Sequence, residues 1–292
     1  MQLDQLRALT AIIDHGTFDA AATALQITPS AVSQRIKALE ASVGHMVVQR
    51  GIPCVPTEPG AVLVRMARGM AMLEADAHAS LGEGGSVPIP VVVNADSLET
   101  WFPPVLFDAA DWPDPLRLEV EDQDHSIRLL RHGEVVGAVT SEPASVNGCS
   151  SEPLGAMRYL PVATPRLRNR FRRGGRIDWA HMPVVRFNAK DDLQDVYLAR
   201  RSSTARPPFV QVPTSRGFVV AVRAGLGWGM VPEEQLEDSL ETGELVLLGR
   251  DHIDQPLYWQ VWKLSSPRLT RLTESVRSAA RSGLRRARTT GG

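Results

Sequence analysis

The arrangement of apolar residues changes twice along this chain, and any fold must accommodate all three patterns. Through residue 60 the apolar residues recur at helical spacing. From 61 to 79 a proline-free, alanine-rich run follows alternating steps of three and four. From Val87 onward, short apolar runs alternate with helical stretches. Two folded units joined by a helix satisfy all three. A chain of 292 residues with 43% apolar content is long enough for about two domains at roughly 150 residues each.

In the first unit Leu3, Leu6, Leu9 and Ile13 predict a helix that stops near Gly16. Thr17 then caps a short helix carrying Phe18, Ala21, Ala22 and Leu25, and Thr28 caps a third with Pro29 at its first position. The inner face of the third helix is Ala31, Val32, Ile36 and Leu39. Its outer face carries Ser30, Ser33, Gln34, Arg35 and Lys37. Small hydrogen-bonding groups in the first turns of a helix are what reading base edges in a major groove requires. Residues 46–53 predict a hairpin or wing with Arg50 placed to meet phosphate. Charge does not separate this reading from an ordinary helical bundle, because residues 1–60 hold four Lys/Arg against five Asp/Glu.

These residues resemble a known family. Gly16-Thr17-Phe18, Ala21-Ala22, Leu25, Thr28-Pro29-Ser30-Ala31-Val32-Ser33, Ile36, Leu39-Glu40 and Thr57-Glu58-Pro59-Gly60 look like the winged helix-turn-helix of LysR-type transcriptional regulators. The resemblance implies a DNA-binding domain over residues 1–60, with double-stranded promoter DNA and RNA polymerase as partners.

Leu63, Met66, Met70, Leu73 and Ala77 form a heptad seam on a helix of roughly 28 Å, too apolar on one side to stand alone. Pairing with a second chain is one expectation, and packing on the chain's own core is the other. LysR-type relatives use a linker helix here to dimerise, which implies a homodimer and, as a dimer of dimers, a homotetramer. Leu81 to Ser86 predicts a flexible joint, so the linker covers 61–86.

Residues 87–292 predict an α/β unit with largely parallel strands. Strands are expected at Ile89–Val93, Leu116–Val120 and Val135–Thr140, then at Pro183–Phe187, Phe209–Val212, Gly229–Val231 and Leu257–Trp262. Helices are expected at Ser97–Ala109, broken at Pro103-Pro104, and at Ser126–His132, Asp192–Arg201 and Ser215–Ala224. Two lobes follow, one near 87–160 plus 265–292 and the other near 161–264. The arginine-bearing stretch after Leu264 predicts a surface helix to about Arg281 with a frayed remainder. The expected class is thus multi-domain α+β: a winged helix-turn-helix, a linker helix and a two-lobed effector domain resembling periplasmic binding proteins.

In such sheets ligands sit beyond the carboxyl ends of strands. Ser97 follows the first strand, Glu121, Asp122 and Asp124 follow the second, and Thr140 closes the third. An anion-accepting corner facing carboxylates suits a zwitterion with an extra cationic group, such as a basic amino acid. Residues 93–101, Val120-Glu121-Asp122, 133–140, Leu193-Gln194-Asp195, 225–229 and 257–260 also resemble the ArgP/LysG subgroup of LysR-type regulators. That resemblance implies a lysine, arginine or histidine sensor controlling a basic amino acid exporter. It further implies Ser97 for the ligand carboxylate, Glu121, Asp122 and Asp124 for cationic groups, and Asp191 or Asp192 from the second lobe. Arg216 stands where relatives are expected to carry an acid, and Arg166 to Arg176 hold six arginines in eleven residues, a density foreign to the subgroup.

Other classes find less support. Gly225, Gly227 and Gly229 follow a helix and precede a strand, the reverse of a dinucleotide loop. The seven histidines lack metal-ligand spacing, and two cysteines make neither a disulfide framework nor a zinc site, so no catalytic residue, metal or cofactor is expected beyond the small-molecule effector. No apolar run reaches the ~18 residues of a membrane span, and a cytoplasmic protein is expected. A lobe pair acting through a protein partner, and an amino-acid-processing enzyme fused to a DNA-binding domain, remain as alternatives.

Overall fold

The computed structural model describes residues 1–82, 85–121, 123–201 and 206–286, except the side chains of Gln123, Asp124 and Glu237. Helices α1 (Leu3–His15), α2 (Phe18–Ala24) and α3 (Pro29–Val43) pack around Leu6, Leu9, Ile12, Ala21, Val32, Ile36 and Leu39, all buried. Local chemistry sets their ends. The Thr17 and Thr28 hydroxyls accept from the amides of Ala20 and Ala31, and Gly16 and Gly44 close α1 and α3 in the left-handed conformation. Each such threonine cap contributes about 1 kcal/mol. Strands β1 (Val48–Gln49) and β2 (Val55–Pro56) pair antiparallel as the expected wing.

Helix α4 (Glu58–Ser80) starts where the wing ends. Gly60 fixes that junction, since a Cβ there would lie 1.9 Å from the Val47 carbonyl oxygen. The predicted seam does not behave as one surface. Leu63 and Met66 are half-buried against the helix-turn-helix core, beside buried Val64 and Ala67, so these two pack on their own chain. Met70, Leu73 and Ala77 are exposed, as is Val62 on the same side. Met72 points the other way, into the core of the second unit. Glu83 and Gly84 of the expected joint lie outside the described residues.

The second unit begins with β3 (Ile89–Val93), α5 (Ala95–Glu99), α6 (Pro103–Ala109), β4 (Leu116–Val120), α7 (Gln123–His132) and β5 (Gly137–Thr140). Ile89, Val91, Val92 and Val93 are fully buried, worth about 1.5–3 kcal/mol each. Then come β6 (Cys149–Ala163), α8 (Pro165–Arg170), β7 (Arg172–Arg173), β8 (Arg176–Ile177), β9 (Val184–Arg186), α9 (Leu193–Ala199) and β10 (Phe209–Gln211). The chain closes with α10 (Ser215–Arg223), β11 (Gly229–Pro232), α11 (Glu237–Glu241), β12 (Val246–Leu247), β13 (Ile253–Trp262) and α12 (Pro267–Gly283).

The sheet is mixed, a correction to the largely parallel expectation. β3 pairs parallel with β4 and β5, and β9 pairs parallel with β10. The long strands β6 and β13, however, run antiparallel to each other from Tyr159 opposite Ile253 to Cys149 opposite Trp262. β13 meets β5 over Tyr258–Val261, while the far end of β6 meets β11 over Tyr159–Val162. Both strands therefore pass from one lobe to the other, and the cleft lies where they cross. α12 is also more than a surface helix. Leu269, Leu272, Val276, Ala279 and Ala280 form a buried stripe that packs it onto the first lobe, and Arg268 at its start is only 4% exposed.

Candidate functional site

On α3, Ser30, Ser33, Gln34 and Lys37 fall at steps of three and four and share one stripe, with Ser30, Gln34 and Lys37 exposed and Ser33 half-buried. Thr28 Oγ1 lies 2.9 Å from Ser30 Oγ, and Pro29 occupies the first helical position. Arg35 is off the stripe. Its guanidinium is half-buried and 3.5 Å from Asp4 on α1, so it braces two helices from the side of α3. Arg50, exposed at the wing, stands over the Phe18 ring at 5.0 Å. The stripe and the wing offer a duplex one neutral polar edge with cations beside it.

The second feature is a cavity of about 40 Å³ between the lobes, lined by Asp96, Tyr159, Asp191, Gln194, Ser215 and Gln235 with apolar Phe187, Leu193, Phe218, Met230 and Pro232. Asp96 is at its centre. Asn94 caps α5 at the end of β3, and two residues later Asp96 accepts from the Tyr159 hydroxyl at 2.8 Å and from Ser215 Oγ at 2.6 Å. Ser215 begins α10 of the second lobe and also accepts from Gln235 Nε2 at 3.0 Å, so the Asp96–Ser215 bond crosses the cleft. Burial, and then the neighbouring Asp96 charge, push the Tyr159 hydroxyl well above its ordinary pKa, which keeps it a donor.

Asp191 is the second carboxylate. It accepts from the Phe187 amide at 2.7 Å and from Gln194 Nε2 at 3.2 Å, and these bonds hold its side chain inward. Burial raises its pKa despite them. Asp192 is exposed at the cap of α9 and does not line the cavity, because the turn that folds Asp191 inward sends its neighbour out.

The other expected ligand residues distribute unevenly. Ser97, next to Asp96 on α5, is fully buried and does not line the cavity; its amide donates to Asn94 Oδ1 at 2.7 Å and its Oγ has no hydrogen-bond partner among the described residues. Glu121 does not line the cavity and is 3.6 Å from His125 on the adjoining helix, with both side chains about 40% exposed. Thr140 is buried at the end of β5, where its hydroxyl accepts from the Glu142 amide and has no part in the lining. Asp122 and the Asp124 side chain lie outside the described residues. Arg216 is exposed and points away from the lining, so Ser215 supplies the edge. Asp96, Tyr159, Ser215 and Gln235 were not singled out by the sequence patterns.

Two carboxylates and several hydroxyl and amide groups set in apolar walls can receive a cation carried on an aliphatic stem. A cavity of this size is far below the roughly 300 Å³ at which small-molecule pockets begin. Admission of such a ligand requires the lobes to part or the Asp96–Ser215 bond to break.

Residues 3–61 match the bacterial regulatory helix-turn-helix protein, lysR family, and residues 90–283 match the LysR substrate binding domain. The chain is 51% identical to the lysine export transcriptional regulatory protein LysG of Corynebacterium efficiens over 96% of this chain and 98% of that one. It superposes with a TM-score of 0.88 on full-length LysG from Corynebacterium glutamicum with bound effector Arg, at 47% identity covering 98% and 100% of the two chains. The crystal structure of ArgP from Mycobacterium tuberculosis gives 0.91 at 46% identity, covering 97% and 98%.

Proposed function

Since this chain belongs to the LysR family of bacterial transcriptional regulators, we propose that it regulates export of basic amino acids in response to lysine or arginine bound between its lobes. The observation that carries the reading is Asp96 and Asp191 facing one small cavity across two lobes. Asp96 and Asp191 take the ligand's ammonium and side-chain cation, Phe187, Leu193 and Phe218 flank its stem, and the Ser97 hydroxyl, buried outside the present lining, serves the carboxylate once the lobes part. The names of the relatives, lysine export regulators and an arginine-bound LysG, support the same ligand class. A ligand that replaces Ser215 as the partner of Asp96 favours one lobe angle over another, and that differential affinity is what shifts the population. Calorimetry of the full chain with arginine, lysine and histidine, alongside footprinting on the promoter of an adjacent transporter gene, tests it. Absence of binding by all three ends the ligand reading.

The raised pKa of Asp191 adds a pH dependence. A cation stabilises the ionised carboxylate, so binding releases a proton wherever Asp191 is protonated in the free protein. Affinity for arginine is expected to rise with pH up to and through the raised pKa of Asp191 and then level off. Calorimetry in two buffers of different ionisation enthalpy reads the proton. Affinity that is flat from pH 4 to 7 contradicts the assignment of Asp191.

DNA binding is assigned to Ser30, Ser33, Gln34 and Lys37 for the groove and Arg50 for phosphate, with RNA polymerase as the downstream partner. The homodimer is assigned to the exposed side of α4, where Met70 is 47% and Leu73 41% exposed. A groove of about 290 Å³ between α1 and α4, lined by Leu3, Leu6, Ala67 and Ala71 among others, adjoins it. Leu73→Glu is expected to convert dimer to monomer in sedimentation velocity and to weaken operator binding in parallel. A Leu73→Glu protein that stays dimeric removes this face from the interface.

A further inference from the structure

We propose that the hairpin of β7 and β8, with the helix α8 that leads into it, is a second contact to the phosphate backbone of duplex DNA, separate from the helix-turn-helix. Arg166, Arg168, Arg170, Arg172, Arg173 and Arg176 crowd this segment, and all except Arg168 are exposed. Counter-charge is scarce. Asp178 is 3.6 Å from Arg173, whose side chain is 80% exposed, and Asp178 also serves His181 at 2.9 Å.

The register makes the crowding more costly. Arg173 stands directly opposite Arg176 across the two strands, and like charges in that relation repel. Each strand is only two residues long, and the turn between them needs positive φ at both Gly174 and Gly175. Nothing in the fold is gained by placing two guanidinium groups face to face at such a tip in water. An anion between them removes the repulsion, and the planar guanidinium fork matches phosphate oxygens two at a time.

The occupant follows from where the rest of the molecule lacks charge. Residues 1–60 carry four Lys/Arg against five Asp/Glu, so the groove-reading unit has no cationic surplus of its own. Attraction to duplex DNA grows with each phosphate neutralised, and here the cations for that term are concentrated in the second lobe. The polyanion available to a DNA-binding chain with this distribution is the DNA flanking its operator. The inference rests on operator binding, not on the identity of the effector.

The test uses the full chain with Arg172→Gln, Arg173→Gln and Arg176→Gln combined, and a second triple variant with lysine at the same positions. Operator affinity is measured from 50 to 200 mM salt on a minimal operator and on one with long flanks. On the long fragment, the slope of log affinity against log salt is expected to become shallower by about 0.9 for each phosphate that the variant no longer neutralises, roughly two to three per subunit. The ranking of mutated operator sequences stays as in the parent, and the lysine triple variant recovers most of the slope. Arginine affinity and thermal unfolding, unchanged in the glutamine variant, exclude a folding defect. An unchanged slope on the long fragment overturns the proposal. So does an unchanged slope accompanied by loss of transcription with purified RNA polymerase, which reassigns the hairpin to an acidic protein surface. A shallower slope in a protein whose parent ignores lysine and arginine upholds the hairpin contact and removes the ligand reading alone.

Discussion

Asp96→Asn is expected to lower arginine and lysine affinity by at least about 30-fold while leaving operator binding in the absence of ligand unchanged. Removing one partner of a buried, hydrogen-bonded charge pair costs about 2–5 kcal/mol, and the lower bound of that range is about 30-fold. Asparagine keeps the shape of the side chain: its oxygen still accepts from Tyr159, and its amide nitrogen, in place of the oxygen that accepted from Ser215, donates to that hydroxyl, so the lobe-to-lobe contact survives as a neutral hydrogen bond in reversed direction. Two comparisons make the result specific. Asp192→Asn alters an exposed cap, and Glu121→Gln alters a carboxylate that faces His125, so both are expected to bind arginine within about twofold of the parent by the usual size of surface effects. Calorimetry reads all three. Parental arginine affinity in Asp96→Asn, or an equal loss in Glu121→Gln, moves the cation site away from the cavity that Asp96 and Asp191 share.

That contrast also marks how far the sequence could be read. Helix ends were legible because they depend on neighbours in the chain: Thr17, Thr28 and Gly16 sit where capping chemistry needs them. The strands β3, β4 and β11 were legible as apolar runs between turn residues, and the break between α5 and α6 as a pair of prolines. β6 was not, because its fifteen residues include Pro153, Gly155 and Pro161, and polar Ser150, Ser151 and Glu152 begin it. Its strand character comes from pairing with β13 about a hundred residues away, a contact no local pattern encodes. The cleft was half legible for the same reason. Strand ends pointed to residues 94–97, yet which of them faces the cavity depends on Tyr159 and Ser215 arriving from other elements. Asp191 and Asp192 look alike in sequence, and only the turn that donates the Phe187 amide to Asp191 separates them. The seam on α4 was read as one surface because its spacing is regular. The helix in fact serves three partners: the helix-turn-helix through Val64 and Ala67, the effector domain through Met72, and open solvent through Met70 and Leu73.

The same helix carries the second large expected effect. Arg268, at the start of α12, pairs with Asp76 on α4 and lies 2.8 Å from Asp114, which precedes β4. Arg268 and Asp114 are 4% and 2% exposed, so this cluster is a buried ionic tie between linker helix and effector domain. Replacing such a pair entirely by apolar groups can be nearly neutral, whereas removing one member strands the other charge and costs about 3–5 kcal/mol. In Arg268→Met, Arg271 stays 3.3 Å from Asp114 and the Val87 amide still donates to it, so the loss is expected at the lower end of that range. Urea unfolding followed by intrinsic tryptophan fluorescence reads it, because the tryptophans lie in the effector domain. The consequence for function is sharper than the loss of stability. A change of lobe angle reaches the helix-turn-helix through contacts between the lobes and α4, and Arg268–Asp76 joins α12 of the first lobe to that helix. Arg268→Met is therefore expected to bind arginine normally while the ligand's effect on operator affinity shrinks, a loss of coupling and not of either binding event. The double variant Arg268→Met with Asp76→Asn separates the two contributions. It recovers stability by removing the charge that Arg268→Met strands on α4, and it stays uncoupled because the tie between α12 and α4 is still absent. Full ligand response in the double variant assigns the transmission to the apolar contacts of Met72 instead.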